Sequence, residues 1–184
     1  MEYKSSRRIF LRNSAIATTG IAFLSSTTFA NSLTSKTSPF EGDNPYAEEK
    51  TDLRSSSLFG KHITVKGKIF DSTGTFVLSN VTVEVWHLSP NSRKFKHKAK
   101  LKTNVLGAYF FVTDFPNKEI GKCSRIYFKV SNGTSNYFTE LLITNSDAYI
   151  SEKHWEENNQ LGENLFPIKE GTINSSTITF NRSI

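Results

Sequence analysis

From about residue 60 onward, apolar and polar residues alternate along most of this chain. In HITVKGKIFD, Ile63, Val65, Gly67 and Ile69 share one side; in NVTVEVWHL, Val81, Val83 and Val85 oppose Thr82, Glu84 and Trp86. A period of two marks a strand with one buried face, so both segments are predicted strands. Between them, DSTGTFVLSN supplies the Asp, Gly, Ser and Asn of a connecting turn. GAYFFVTDF, SRIYFKVS, YFTELLIT and STITF are four more short segments rich in aromatic and β-branched residues, set apart by Asn, Gly and Ser clusters. Only DAYISEKHWEENNQL looks helical. Its Tyr149, His154, Trp155 and Leu161 do not fall on one face, which predicts a partly helical loop over a sheet. No internal repeat or heptad appears. The pattern predicts an all-β fold: a single β-sandwich of short, mainly antiparallel strands.

Before residue 51 the pattern is different. Ser14 to Ala30 is apolar or small and without charge, and a basic stretch, SRRIFLR, precedes it. Basic region, apolar run and small residues at Thr28 and Ala30 make an export signal over residues 1–30. The run is short for a bilayer and diluted by Ser and Thr, so no stable membrane span is expected after processing. Ser6-Arg7-Arg8-Ile9-Phe10-Leu11-Arg12 matches the twin-arginine pattern S-R-R-x-F-L-K with Arg12 in place of Lys. Arg7 and Arg8 thus point to the twin-arginine export machinery as a partner and to a bacterial exported protein, periplasmic or extracellular. An ordinary secretory leader is the alternative. Residues 31–50 are polar, hold two prolines and show no period, which predicts a flexible spacer; the domain proper is 51–184.

Charge adds little. The net charge is +6, and Lys4, Arg7, Arg8 and Arg12 against Glu2 place half of it in the leader. Nothing in the scattered remainder calls for nucleic acid. Lys94, Lys96, Lys98, Lys100 and Lys102 alternate with Phe95, His97, Ala99 and Leu101, as expected of an exposed edge strand whose lysines discourage pairing; an anionic ligand or surface is the other reading. Cys123 is the only cysteine, so no intrachain disulfide can form, and without a surrounding motif it reads as a buried thiol. The Asn-x-Ser/Thr triplets at Asn80, Asn132, Asn174 and Asn181 read as polar turn and strand residues in a bacterial chain.

The order of segments carries a resemblance. TDLRSS, VKGKIFDSTGTFVLSNVTVEVWH, KTNVLGAYFFVTDFP, RIYFKVSNG and FTELLITNSDAY follow the landmarks of the intradiol ring-cleavage dioxygenases over about residues 51–150. Trp86-His87, Gly107 with Tyr109 and Phe111, Pro116, and Ile126 with Phe128-Lys129-Val130 fall on those landmarks. The resemblance implies a β-sandwich holding Fe(III) between two tyrosines and two histidines and cleaving catechol-type rings with dioxygen.

The ligand positions are not matched. The family's H-I-H is Arg125-Ile126-Tyr127; its first tyrosine aligns near Phe95 and its second with Glu119. The arginine ahead of the histidines becomes Lys122, and a later glutamine becomes Glu140. Arg125 is always charged and is no iron ligand. His62, His87, His97 and His154 show no metal-binding spacing, and His87 belongs to the Trp-His landmark, which is not a ligand. No catalytic residue can be named and no cofactor is predicted. The degenerate-site candidates are Phe95, Glu119, Lys122, Arg125, Tyr127 and Glu140, and a buried Arg125 calls for a salt link to Glu119 or Glu140, or for an anionic ligand. Three readings follow: an exported domain without the ferric site that binds a small anionic or aromatic ligand or serves structurally; an active Fe(III) dioxygenase; or a sandwich contacting polysaccharide or the cell surface through Phe95 and the lysines.

Overall fold

The computed structural model describes residues 38–184 apart from Thr134 and Ile173; the export signal expected over residues 1–30, with Arg7 and Arg8, lies outside the described residues. Among the described residues the chain forms ten strands in two sheets. In the first sheet β1 (His62–Phe70) is central. It pairs antiparallel with β4 (Ala108–Asp114) on one side, and on the other runs parallel to β9 (Ser175–Thr179) and then to β10 (Arg182–Ser183). β8 (Ile168–Gly171) pairs antiparallel with β9. The second sheet is antiparallel throughout, in the order β3 (His97–Lys102), β2 (Thr82–His87), β5 (Ser124–Asn132), β6 (Ser135–Ile143), β7 (Ala148–Ile150).

Period two makes the core. Ile63, Val65 and Ile69 from β1 meet Val83, Val85, Ile126, Phe128 and Leu141 from the second sheet, all essentially without solvent contact. Each such side chain contributes about 1.5–3 kcal/mol on burial. Gly67 takes its turn on this face because nothing larger fits: a Cβ there would run into the Phe180 carbonyl, which accepts a hydrogen bond from the Tyr109 hydroxyl at 2.7 Å.

The window predicted as a partly helical loop resolves into β7, a two-turn helix α1 (Glu152–Asn158) and a 3-10 stretch, Asn159–Leu165. Ser151 caps α1 by accepting from the His154 amide. No helix among the described residues is long and apolar enough to cross a membrane.

Residues 38–50, a spacer by composition, lie against the sandwich. The Glu48 carbonyl accepts from Lys100 of β3 at 2.8 Å, and a few residues on, Thr51 and Leu53 exchange backbone bonds with Val112 of β4. This strap therefore joins an edge strand of each sheet. Backbone bonds made one or two at a time leave no hydrophobic period, which is why composition alone misses the strap.

Candidate functional site

The candidate residues gather on the outer face of the second sheet. Register sets Trp86 opposite Tyr127 and Tyr127 opposite Glu140, so all three point the same way from neighbouring strands, with Arg125 two residues along β5. Glu119 and Lys122 belong to the loop between β4 and β5, closed by a bridge between Lys118 and Ser124. Phe95 precedes β3. Around Tyr127 lies an aromatic cluster: Phe40 stacks on its ring at 4.6 Å between centroids, Trp86 at 5.8 Å, and Phe95 sits tilted at 6.2 Å.

Two residues outside the candidate set complete the cover: Phe40, which carries no sequence signal, and Trp86 of the Trp-His landmark. Phe40 comes from the strap, and Trp86 secures it by donating from Nε1 to the Glu41 carbonyl at 2.8 Å. Gly42 has φ +89 and runs directly under Phe95, where a side chain would collide with the ring. Phe95 is thus half-buried under the strap.

The polar groups of this cluster are tied in pairs. Arg125 reaches Glu140 at 2.6 Å and also points Nε at the Cys123 carbonyl at 3.4 Å. Cys123 itself is half-buried. The Tyr127 hydroxyl donates to Glu119, whose other oxygen takes Lys122 at 2.8 Å. Burial first, then the Glu119 carboxylate, push Tyr127 well above the usual phenol range. Burial works against the Glu119 charge, but the bonds from Lys122 and Tyr127 outweigh it and hold the carboxyl below its ordinary value. Arg125 is likewise opposed by burial and rescued by Glu140, which raises it. The result is two cations and two carboxylates compensated pairwise, with a neutral phenol between them.

The histidines go elsewhere. His87 is fully buried on the inner face, its ring bonded to Thr113 at 2.6 Å and to the Leu88 carbonyl at 2.8 Å; burial takes it down to about 3. His154 lies against Phe180 and bonds Thr139 at 2.7 Å; burial, with Arg182 nearby, again takes it to about 3. His62 and His97 flank Asp114. Among the described residues no group of three or more His, Cys, Asp or Glu is arranged to hold a metal ion.

No family model matches the chain, and no curated protein matches it. Solved structures do. The chain is similar to the dioxygenase domain of a dioxygenase carbohydrate-binding protein fusion from the cellulolytic bacterium Streptomyces sp. SirexAA-E, at 20% identity over 79% of this chain and 94% of that one, with a TM-score of 0.59. It is also similar to an intradiol ring-cleavage dioxygenase from Tetranychus urticae, at 13% identity over 77% and 89% of the two chains, TM-score 0.57. The 3-chlorocatechol 1,2-dioxygenase of Rhodococcus opacus 1CP matches at 12% identity over 77% and 68%, TM-score 0.54. The two sheets, their order and these likenesses together give this chain the β-sandwich fold of the intradiol ring-cleavage dioxygenases.

Proposed function

We propose that this chain is an exported domain of the intradiol dioxygenase fold that has lost the ferric site and serves in binding or as a structural domain. The pairing of the polar side chains carries this reading. Fe(III) of this class is held by anionic oxygen and neutral imidazole donors with positions left open for substrate. Here the aligned positions offer a hydrocarbon at Phe95, a permanent cation at Arg125, a phenol at Tyr127 that holds its proton against Glu119, and a Glu119 carboxylate shared with Lys122. The donor set does not fit the ion, and an iron there would have to displace the Arg125–Glu140 and Tyr127–Glu119 pairs together.

The export part of the reading rests on SRRIFLR, with the twin-arginine machinery as partner and the periplasm or exterior as destination. Any ligand of the constellation is small and anionic or aromatic, since a planar ring could replace Phe40 on Tyr127 and an anionic group could meet Arg125 or Lys122. Phe95 is covered by the strap, which leaves a polysaccharide-contact reading with only the lysines.

Elemental analysis and a visible spectrum of protein purified after expression in iron-replete medium provide the test. The expected result is colourless protein with iron far below one equivalent. Stoichiometric iron with a phenolate-to-metal absorption band would overturn the reading in favour of a ring-cleaving dioxygenase.

A further inference from the structure

The end of the sandwich from which β1 sets out carries a surface of its own. Three segments meet there: residues 50–61 leading into β1, residues 88–96 joining β2 to β3, and residues 115–123 joining β4 to β5. Backbone bonds tie them together. The Phe115 amide donates to the Lys61 carbonyl at 2.7 Å, the Asn117 amide to the Leu88 carbonyl at 3.2 Å, and Asn117 Nδ2 to the Ser92 carbonyl at 2.9 Å. Three large apolar side chains stand out from this end: Leu58 is 83% exposed, Phe59 78% and Ile120 80%. Both tips are held. The Leu58 and Phe59 amides each donate to the Ser56 hydroxyl at 3.3 Å. Ile120 sits at the corner of a turn closed by the Lys122 amide on the Glu119 carbonyl at 3.1 Å, with Gly121 at φ +72.

Charge collects at the same end. The three segments hold eight Lys and Arg against two acids, Asp52 and Glu119. Lys50, Arg54 and Lys122 are ion-paired, and Lys61 is engaged with Asn145 Oδ1 at 2.9 Å and with the Phe115 ring at 3.8 Å. Arg93, Lys94, Lys96 and Lys118 remain, all exposed and without a carboxylate partner among the described residues. The neighbouring turn, 144–147, adds one acid, Asp147, which accepts from the Ala148 amide. Apolar tips in water and unpaired like charges are both unfavourable, and a partner that takes up both at once accounts for their sharing one end.

A polyanion such as nucleic acid would meet the cations and leave Leu58, Phe59 and Ile120 in water. A second copy related by a two-fold axis would set the same cations against each other. An anionic bilayer takes both: its acyl region receives the apolar side chains while lipid phosphates receive the ammonium and guanidinium groups. Convex tips on separate loops also suit a fluid surface, whereas a protein face would need a matching shape. We propose that this end of the domain docks on the surface of a membrane containing anionic lipid, with the Leu58–Phe59 and Ile120 tips entering the interface and the four unpaired cations on headgroups. The domain then lies on the bilayer without crossing it. Docking uses none of the Tyr127 contacts, so it holds whether or not iron binds there.

A reporter at the tip tests this on the full chain. Phe59→Trp is titrated with vesicles of brominated phosphatidylcholine, alone or equimolar with phosphatidylglycerol, and its quenching is read beyond that of Trp86 and Trp155 in the parent. Quenching is expected with the anionic vesicles, at least about tenfold more tightly than with the neutral ones, and is expected to weaken with salt. Adding Lys94→Gln with Lys96→Gln is expected to raise the lipid needed by at least about tenfold, since each cation near an anionic surface is worth about fivefold. Adding Leu58→Ser with Ile120→Ser, which leaves the charge unchanged, is expected to do the same. All of these side chains are exposed, so the thermal midpoint stays put. Val105→Trp, at an 86% exposed position on the loop between β3 and β4 at the opposite end, is expected to stay unquenched. No quenching in Phe59→Trp, equal quenching by neutral vesicles, equal quenching in Val105→Trp, or indifference to the lysine pair would each overturn the proposal. Indifference to Leu58→Ser with Ile120→Ser would overturn it in favour of a plain polyanion site.

Discussion

Arg125 and Glu140 do not sit directly across the ladder. Arg125 faces Leu142, Glu140 faces Tyr127, and the ion pair runs diagonally between them over a half-buried face. Neither charge has another strong partner, so removing one strands the other. Glu140→Ala is expected to lower unfolding stability by about 2 kcal/mol, less than a fully buried pair would lose, whereas the double change Arg125→Met with Glu140→Leu restores most of it; chemical denaturation reads both. Residue types were the legible part of this site. Arg125 where an imidazole is expected, and Glu140 within reach, can be read from RIYFKV and YFTELL alone. Phe40 could not be read, because it matters through a partner more than fifty residues away in sequence, Tyr127.

At the scale of elements, the strap behaves as a part of the second sheet's outer face. Phe40 covers Tyr127, Glu41 takes the Trp86 indole, and Gly42 passes under Phe95. Phe40→Ala is expected to cost about 1–2 kcal/mol from lost burial and stacking and to speed hydrogen exchange at the Trp86 Nε1–H, which NMR resolves from the one other indole, Trp155. A strap that merely drifted over the face would leave that exchange rate unchanged. Strands were legible wherever alternation was sustained, as in β1, β2 and β5. The parallel pairing of β9 and β10 with β1 was not, since period two says which face is buried and nothing about strand direction. Nor was α1 plain, because a seven-residue helix held by the Ser151 cap and buried His154 and Asn158 is too short to show its period.

Across the whole molecule, two buried imidazoles set the response to acid. His87 and His154 each titrate at about 3 in the folded state against about 6.5 when exposed, burial being the main cause in both. Below pH 6.5 the unfolded chain takes up protons that the folded chain refuses, so their contribution is fully present above that pH and is lost on acidification toward 3. Each histidine contributes a slope of about 1.4 kcal/mol per pH unit in that window, which amounts to a loss of about 4 kcal/mol between neutral pH and pH 5 for the two together. Asp114 and Glu119, both held below their ordinary values, steepen the loss at lower pH. Urea midpoints measured across this range check the slope, and His154→Gln is expected to halve it; a flat profile would mean that these rings reach water.

The placement of β1 also governs when the domain can be finished on the ribosome. Its free edge is closed by β9 and β10, and the Ile184 amide bonds back to Phe70 at 2.9 Å. Roughly 110 residues separate β1 from β9, which at about 5–20 residues per second is on the order of 5–20 s of translation with a central strand exposed on one side. Closure of that edge waits for β9 and β10 to emerge, so the first sheet is completed long after β1 is made.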